Sequence, residues 1–240
     1  MQVITSKDNE NIRKIRKLKE KKYRDLENSY IIEGLKLVKE AISEKIDIQQ
    51  IVICEENNSE IDKETLYEIA KYNLIYVTRK IFETLTDVKN PQGIMAVVKK
   101  NKSNLDIDYS EEIILALDNL QDPGNLGTIL RTLDSANLKQ LIISKNSVDC
   151  YNPKVVRSTM GAIYNKKNNF KIMVTSLDDK NNIYNTDFSK KIIVIGNEAN
   201  GVSKEIQDLA DEKVKIPMLG KTESLNASVA ASIMIYEYVR

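Results

Sequence analysis

The stretch "IILALDNLQDPGNLGTILRTLDSA" occupies residues 113–136. Five consecutive apolar residues, 113–117, suit a strand buried on both faces, as strands of a parallel sheet are. A polar loop with two glycines follows. Beyond it Leu126, Ile129, Leu130 and Leu133 recur at the spacing of one helix face. A strand, a loop of small residues and a helix, in that order, form the repeating unit of an α/β sheet.

Downstream the unit repeats. "QLIIS" (140–144), "FKIMVTS" (170–176), "KKIIVIGNE" (190–198) and "VKI" (214–216) read as strands. "PKVVRSTMGA" (153–162), "VSKEIQDLA" (202–210) and an alanine-rich apolar stretch starting near Ser224 read as helices. The expected fold class is therefore α/β, with a parallel sheet covered on both faces over residues 113–240. Upstream lies a smaller α/β unit, residues 1–99. Its strands are "YIIEG" (30–34), "QQIVICE" (49–55), "NLIYVT" (73–78) and "GIMAVVKK" (93–100); its helices are "LKLVKEAISEK" (35–45) and "IDKETLYEIAKY" (61–72). The polar, aperiodic residues 100–112 read as a linker. Near the amino terminus, Lys7–Asp25 holds nine Lys/Arg against four Asp/Glu, with Ile12, Ile15 and Leu18 on one apolar edge. It reads as one helix whose cations can meet RNA phosphates.

Composition narrows the chemistry. The chain has 240 residues, a net charge of +1, two cysteines and no histidine. The near-neutral balance gives no global field for nucleic acid, so any basic surface is local. The absence of histidine excludes Ser-His-Asp and Cys-His catalysis and removes the commonest metal ligand. Cys54 and Cys150 form no CxxC, so no metal centre or disulfide framework is expected, and a reducing cytoplasm is. No apolar run is long enough to span a bilayer, and "MQVITSKDNENIRK" has no secretory h-region.

Three loops after strands share one character. "DNLQDPGNLGTILR" (118–131), "GNEANG" (196–201) and "PMLGKTESLN" (217–226) hold five of the eight glycines. In a parallel sheet they would face one crevice at the carboxyl ends of the strands, where ligands bind. None is a GxGxxG or GxxxxGK[ST] motif, and none clusters carboxylates for magnesium. Main-chain groups, hydroxyls and amides remain, a set suited to a neutral heterocycle such as adenine.

These loops resemble the three signature motifs of the SpoU/TrmH branch of the SPOUT RNA methyltransferases. "DNLQDPGNLGTILRT" resembles motif 1, "IVIGNEANGVS" motif 2 and "IPMLGKTESLNASVAAS" motif 3. "NPKVVRSTMGAIY" (152–164) resembles the stretch between motifs 1 and 2. "IIEGLKLVKEAI" and "NPQGIMAVV" resemble the substrate-binding domain of the ribosomal-RNA members. Asn137 stands where glycine is frequent after the motif 1 helix, and Ala227 where valine is frequent after Ser-Leu-Asn.

The resemblance implies a trefoil knot around S-adenosylmethionine, a homodimer in which each site is completed by the partner chain, and methyl transfer to a ribose 2′-hydroxyl of RNA. 23S ribosomal RNA is the expected substrate. It implies cofactor contacts from the main chain of Gly196, Ile216 and Leu225, with Leu219, Gly220 and Ala227 as further candidates. A helix beginning near Ser224 would aim unpaired N–H groups at the cofactor carboxylate. The implied catalytic residues are Asn125, Arg131, Glu198, Ser224 and Asn226. Arg131 clamps a phosphate and stabilises alkoxide charge; the family has been read with this arginine as general base, but arginine resists deprotonation. Asn125 supports the ribose or caps its helix. Glu198 serves as a helix-terminal anion, orients Arg131 or takes a proton. Ser224 and Asn226 position groups or form a cap and turn. Transfer from a sulfonium donor to an alkoxide cancels opposite charges, so a dry pocket favours it and no metal is needed. Two alternatives stay open: a tRNA 2′-O-methyltransferase, and a non-catalytic ribosome-assembly factor of the same fold.

Overall fold

The computed structural model describes residues 3–100, 112–154, 156, 171–176 and 181–240, with 58–60 described by their backbone alone. The chain divides into two compact units. One comprises Met1–Lys102 with Tyr151–Gly161, and the other Ser103–Cys150 with Ala162–Arg240. Most of the expected linker, 100–112, and most of the helix expected over 153–162 lie outside the described residues.

The first unit is a five-stranded mixed sheet in the order β1 (Val3–Ile4), β4 (Leu74–Val77), β3 (Ile48–Cys54), β5 (Ile94–Lys99), β2 (Ser29–Glu33). β4 pairs parallel with β1 and β3, while β5 runs antiparallel to both of its neighbours. Its α-helices within residues 3–100 are α1 (Glu10–Lys17), α2 (Lys21–Glu27), α3 (Leu35–Ser43), α4 (Lys63–Ile69) and α5 (Arg79–Leu85). Ile12, Ile15 and Leu18 join Ile81, Phe82 and Leu85 in a core laid over Val52, Val77 and Met95. Each such side chain contributes about 1.5–3 kcal/mol of burial. Tyr151 belongs to this unit, its ring 4.7 Å from that of Tyr30.

The cationic stretch forms two helices rather than one. Arg24, only 2% exposed, turns its guanidinium back to donate to the carbonyls of Leu18 (2.8 Å) and Lys19 (2.6 Å). Those carbonyls lie where α1 has ended and would otherwise lack partners. One of the nine cations is therefore a structural cap.

The second unit is a five-stranded, all-parallel sheet in the order β10 (Glu212–Val214), β8 (Lys171–Thr175), β9 (Lys191–Ile195), β6 (Ile113–Leu117), β7 (Leu141–Ile143). Its described α-helices are α6 (Pro123–Ser135), α7 (Lys204–Asp208) and α8 (Ala227–Val239). Leu117 pairs with both Ile195 and Ile143, and Thr175 with Val214, so these strands end level at one edge. α8 packs on α6, where Thr132 Oγ1 meets Ser232 Oγ at 3.1 Å and Ser135 Oγ meets Tyr236 Oη at 3.1 Å.

Asn137, the departure from the family's glycine, has φ +56°. It is the left-handed residue that closes α6: the Leu138 N–H donates to Leu133 O (2.9 Å) and the Asn137 N–H to Asp134 O (3.0 Å). This is a Schellman ending, in which asparagine is the usual substitute for glycine. Asn137→Gly is expected to raise unfolding free energy by up to about 1 kcal/mol, and Asn137→Ala to lower it by about as much, in chemical denaturation.

Candidate active site

The site is built at the carboxyl edge of the parallel sheet. After β6, Asp118 is buried and its Oδ2 accepts from the Ser203 N–H (2.7 Å), fixing the start of α7. Asn119 takes a left-handed turn (φ +56°), and its carbonyl accepts from Asn197 Nδ2 at 2.9 Å. The loops after β6 and β9 are thus tied at their bases.

The loop after β9 is a tight ring. The N–H of Asn197 donates to Gly201 O and the N–H of Gly201 to Asn197 O, both at 2.9 Å, while Asn197 Oδ1 accepts from the N–H groups of Ala199 and Asn200. Gly196 sits where the ring closes on itself. A Cβ there would fall 2.1 Å from Gly201 C and 2.2 Å from Val202 N, so only glycine fits.

The N-cap of α6 is Asp122, whose Oδ1 accepts from the Asn125 N–H at 2.8 Å. Asn125 is therefore not the cap; it lies in the first turn with its side chain free for other work. Asn125 Nδ2 donates to Glu198 Oε1 (2.8 Å), and Asn125 Oδ1 accepts from Asn226 Nδ2 (3.0 Å). One side chain from each of the three loops enters this chain of hydrogen bonds. It also sets the orientation of both amides, because a flip would face donor to donor or put oxygen against oxygen.

Glu198 is held as an anion. Burial alone would raise its pKa, but donation from Asn125 Nδ2 and from the backbone N–H groups of Glu198, Gln121 and Asp122 outweighs that and holds it below the ordinary carboxylate value. Because the folded pKa is depressed, its stabilising contribution is present at neutral pH and is lost as pH falls through that lowered value. Such a carboxylate is suited to orienting a donor; as a proton acceptor at neutral pH it is weak.

α8 begins at Ala227 with Asn226 as its N-cap, three residues beyond the expected start. Asn226 Oδ1 accepts from the N–H groups of Ser228 (2.9 Å) and Val229 (3.3 Å), and Asn226 O from that of Ala230 (2.9 Å). The first-turn amides that the sequence reading aimed at a cofactor carboxylate are thus taken by the cap, leaving that of Ala227 outside it.

Between the loops after β8, β9 and β10 lies a cleft of ≈ 370 Å³. Gly196, Ile216, Leu225 and Ala227 line it, and so does Ser224. Leu219, 99% exposed, and Gly220, with open space around it, lie outside the lining. Arg131 is exposed on α6 and makes no hydrogen bond or ion pair among the described residues, so it does not join Asn125, Glu198 and Asn226. Thr175, Ser176 and Met218 also line the cleft and were not singled out from sequence. The signal for the first two was present: hydroxyl residues at the carboxyl end of a strand of the same sheet, Thr175 its last residue and Ser176 the one after it.

No group of three His, Cys, Asp or Glu among the described residues is placed to hold a metal ion, and no described helix is long and apolar enough to cross a membrane.

Comparison with known proteins agrees with this geometry. Residues 9–96 match the MRM3-like substrate binding domain, and residues 112–167 and 162–236 match the SpoU rRNA methylase family. The chain is 30% identical to the 23S rRNA (guanosine(2553)-2′-O)-methyltransferase RlmP of Bacillus subtilis, covering 98% of each. It superposes with a TM-score of 0.87 on an AdoMet-bound rRNA methyltransferase from Sinorhizobium meliloti, at 29% identity over 99% of this chain and 97% of that one. The fold is shared too by the AdoMet complex of AviRb from Streptomyces viridochromogenes (TM-score 0.87, 23% identity, 96% and 97% covered). The parallel sheet, the three-loop cleft and these matches together define an RNA methyltransferase. More narrowly, the chain belongs to the SpoU rRNA methylase family.

Proposed function

We propose that the protein is a cytoplasmic S-adenosylmethionine-dependent methyltransferase acting on a ribose 2′-hydroxyl of ribosomal RNA, with 23S rRNA as substrate. The observation that carries this reading is the hydrogen-bonded chain Glu198–Asn125–Asn226, which joins all three motif loops beside the cleft. The substrate-binding domain match over residues 9–96 and the full-length likeness to the Bacillus subtilis enzyme favour ribosomal RNA over tRNA.

The cleft suits the cofactor in size and chemistry. Its volume lies within the range of small-molecule sites, and its lining mixes main-chain groups with apolar walls. Gly196 brings the backbone close for want of a side chain. Ile216 and Leu225 supply apolar faces for the adenine, and Gly196 and Ala227 supply main-chain contacts. When bound, S-adenosylmethionine supplies an electrophilic methyl group on a sulfonium centre.

The chain's own residues do the remainder by positioning. Each amide group of Asn125 and Asn226 has one N–H engaged in the hydrogen-bond chain and keeps a second to direct at ribose or phosphate. Ionised Glu198 fixes Asn125. Ser224 stands at the cleft as a further hydroxyl. Arg131 orients the RNA backbone and stabilises charge that develops on the attacking oxygen.

The reading includes a homodimer in which Arg131 of one chain completes the cleft of its partner. Its support is that Arg131 is exposed and unengaged among the described residues. α8 is also rich in apolar residues, yet Val229, Tyr236 and Val239 are 45%, 49% and 49% exposed, which leaves part of it uncovered. The knotted path belongs to the same reading. It is supported by the return of the chain from β10, at one edge of the sheet, to α8 against α6 and β9.

The test is to map 2′-O-methyl positions in ribosomal RNA from cells with and without the protein, and to restore them with purified protein and S-adenosylmethionine. One 23S position is expected to lose its methyl group and regain it. An unchanged map together with no cofactor binding in calorimetry would favour the assembly-factor alternative.

A further inference from the structure

The first unit carries a second cleft, of ≈ 270 Å³, beneath α1. Its floor is apolar, formed by Ile15, Leu18 and Val97, all buried. Its rim is a set of side-chain amides: Asn11 from α1, Gln49 and Gln50 from β3, and Asn73 just before β4. The buried Ser29 Oγ lies 2.9 Å from both Glu27 O and Gln49 Oε1, which anchors one end of the Gln49 amide at the rim. The side-chain amides of Asn11, Gln50 and Asn73 make no hydrogen bond to protein among the described residues.

An apolar floor with an amide rim matches a planar heterocycle, which has apolar faces and a polar edge. Asn and Gln amides offer paired donor and acceptor groups to such an edge. Glu27 also lines the cleft. A carboxylate there repels phosphate but accepts from the N–H groups of a base, so the pocket itself fits a base edge better than an anion. Phosphate is served from outside it. Lys14 lies on the lining, tied to Glu10 at 2.9 Å. On the outward faces of α1 and α2, Arg13, Lys17 and Lys22 are exposed and form no ion pair among the described residues. Lys17 Nζ and Lys22 Nζ lie 5.1 and 5.8 Å from the centre of the Tyr23 ring.

We propose that this cleft takes one unpaired nucleobase of single-stranded RNA, read at its edge by Gln49, Gln50, Asn73 and Asn11, while Arg13, Lys17 and Lys22 hold the flanking phosphates. The inference rests on RNA being the substrate and adds a base-reading subsite remote in sequence from the methyl-transfer motifs. It makes the first unit selective for a nucleotide, beyond a general affinity for the RNA backbone.

The test uses the full chain and fluorescently labelled A, C, G and U oligomers of about ten nucleotides, a span typical of single-strand sites. Fluorescence anisotropy over a salt series is expected to show a preference for one base. Gln50→Ala combined with Asn73→Ala is expected to weaken binding to that oligomer about tenfold and to erase the preference, with the slope against log salt unchanged. Lys17→Ala combined with Lys22→Ala is expected to weaken all oligomers alike and to flatten the slope. An unchanged circular dichroism spectrum and melting profile in the amide variant show that its fold is intact. Equal binding of all four oligomers by the wild type, or an amide variant that keeps the preference, overturns the inference. Methyl transfer to ribosomal RNA is scored separately: its presence alongside either of those results leaves the enzyme reading standing, and its absence counts against that reading.

Discussion

Gly196→Ala is expected to lower S-adenosylmethionine affinity about tenfold or more, because an overpacking cost of about 1–3 kcal/mol falls on the loop that lines the cleft. The new Cβ would have to move from 2.1 Å to at least 3.0 Å from Gly201 C. Both obstacles, Gly201 C and Val202 N, are backbone atoms, so no side-chain rotation relieves them. The ring closed by Asn197 and Gly201 must open, and Glu198 moves with it, away from Asn125. Overpacking of this kind also costs about 1–3 kcal/mol of stability, so a lowered melting temperature should accompany the lost affinity in calorimetry. Gly220→Ala is the control. Nothing lies within 4 Å of its added Cβ, and its melting temperature should stay as it was. Wild-type affinity in the Gly196 variant would mean that the loop after β9 does not shape the cofactor cleft.

Arg131→Ala is expected to lower methylation about a thousandfold, the scale on which removal of one preorganised charge-stabilising donor is felt, and to leave cofactor affinity unchanged. Arg131 is exposed, outside the cleft lining and outside the Glu198–Asn125–Asn226 chain. Its loss therefore disturbs neither cofactor contacts nor core packing. Single-turnover kinetics with ribosomal RNA, paired with calorimetry, separates the two effects. Mixing Arg131→Ala with Gly196→Ala chains sharpens the test. If each cleft draws its arginine from the other chain, mixed dimers hold one intact site, and re-equilibration restores up to about a quarter of wild-type activity. If the arginine serves its own chain, mixing restores nothing. Comparable turnover in the single Arg131 variant would remove this residue from the mechanism.

The sequence carried the α/β class and the buried strands of the second unit. β6, β8 and β9 are short apolar runs with buried centres, whereas the edge strand β10, read from sequence over 214–216, is the largely polar Glu212–Val214. The three motif loops were readable because glycine and asparagine mark positive φ or close backbone approach, as Gly196, Gly201 and Asn119 do here. What could not be read depended on distant contacts. The break between α1 and α2 rests on Arg24 reaching back to two carbonyls, which apolar periodicity does not report. β1 is two residues long and α5 is seven, both below the length at which a period stands out. The start of α8 turned on whether Ser224 or Asn226 would cap it, and a hydrogen bond from Asn226 to Asn125, 101 residues earlier, accompanies the latter. Asn125 and Arg131 lie six positions apart on α6, about 120° around its axis, so one side chain faces the other loops while the other faces outward.

The Glu198–Asn125–Asn226 chain also bears on how the molecule reaches its working state. Its two bonds span 73 and 101 positions, and contacts of such separation are expensive to close before the intervening chain is ordered. The parallel sheet can form without them, whereas the bond between Asn226 and Asn125 requires α8 to have docked. A partly folded intermediate would then contain nearly all of the secondary structure and no competent site. Helix and sheet content alone would therefore not report a competent site; activity would.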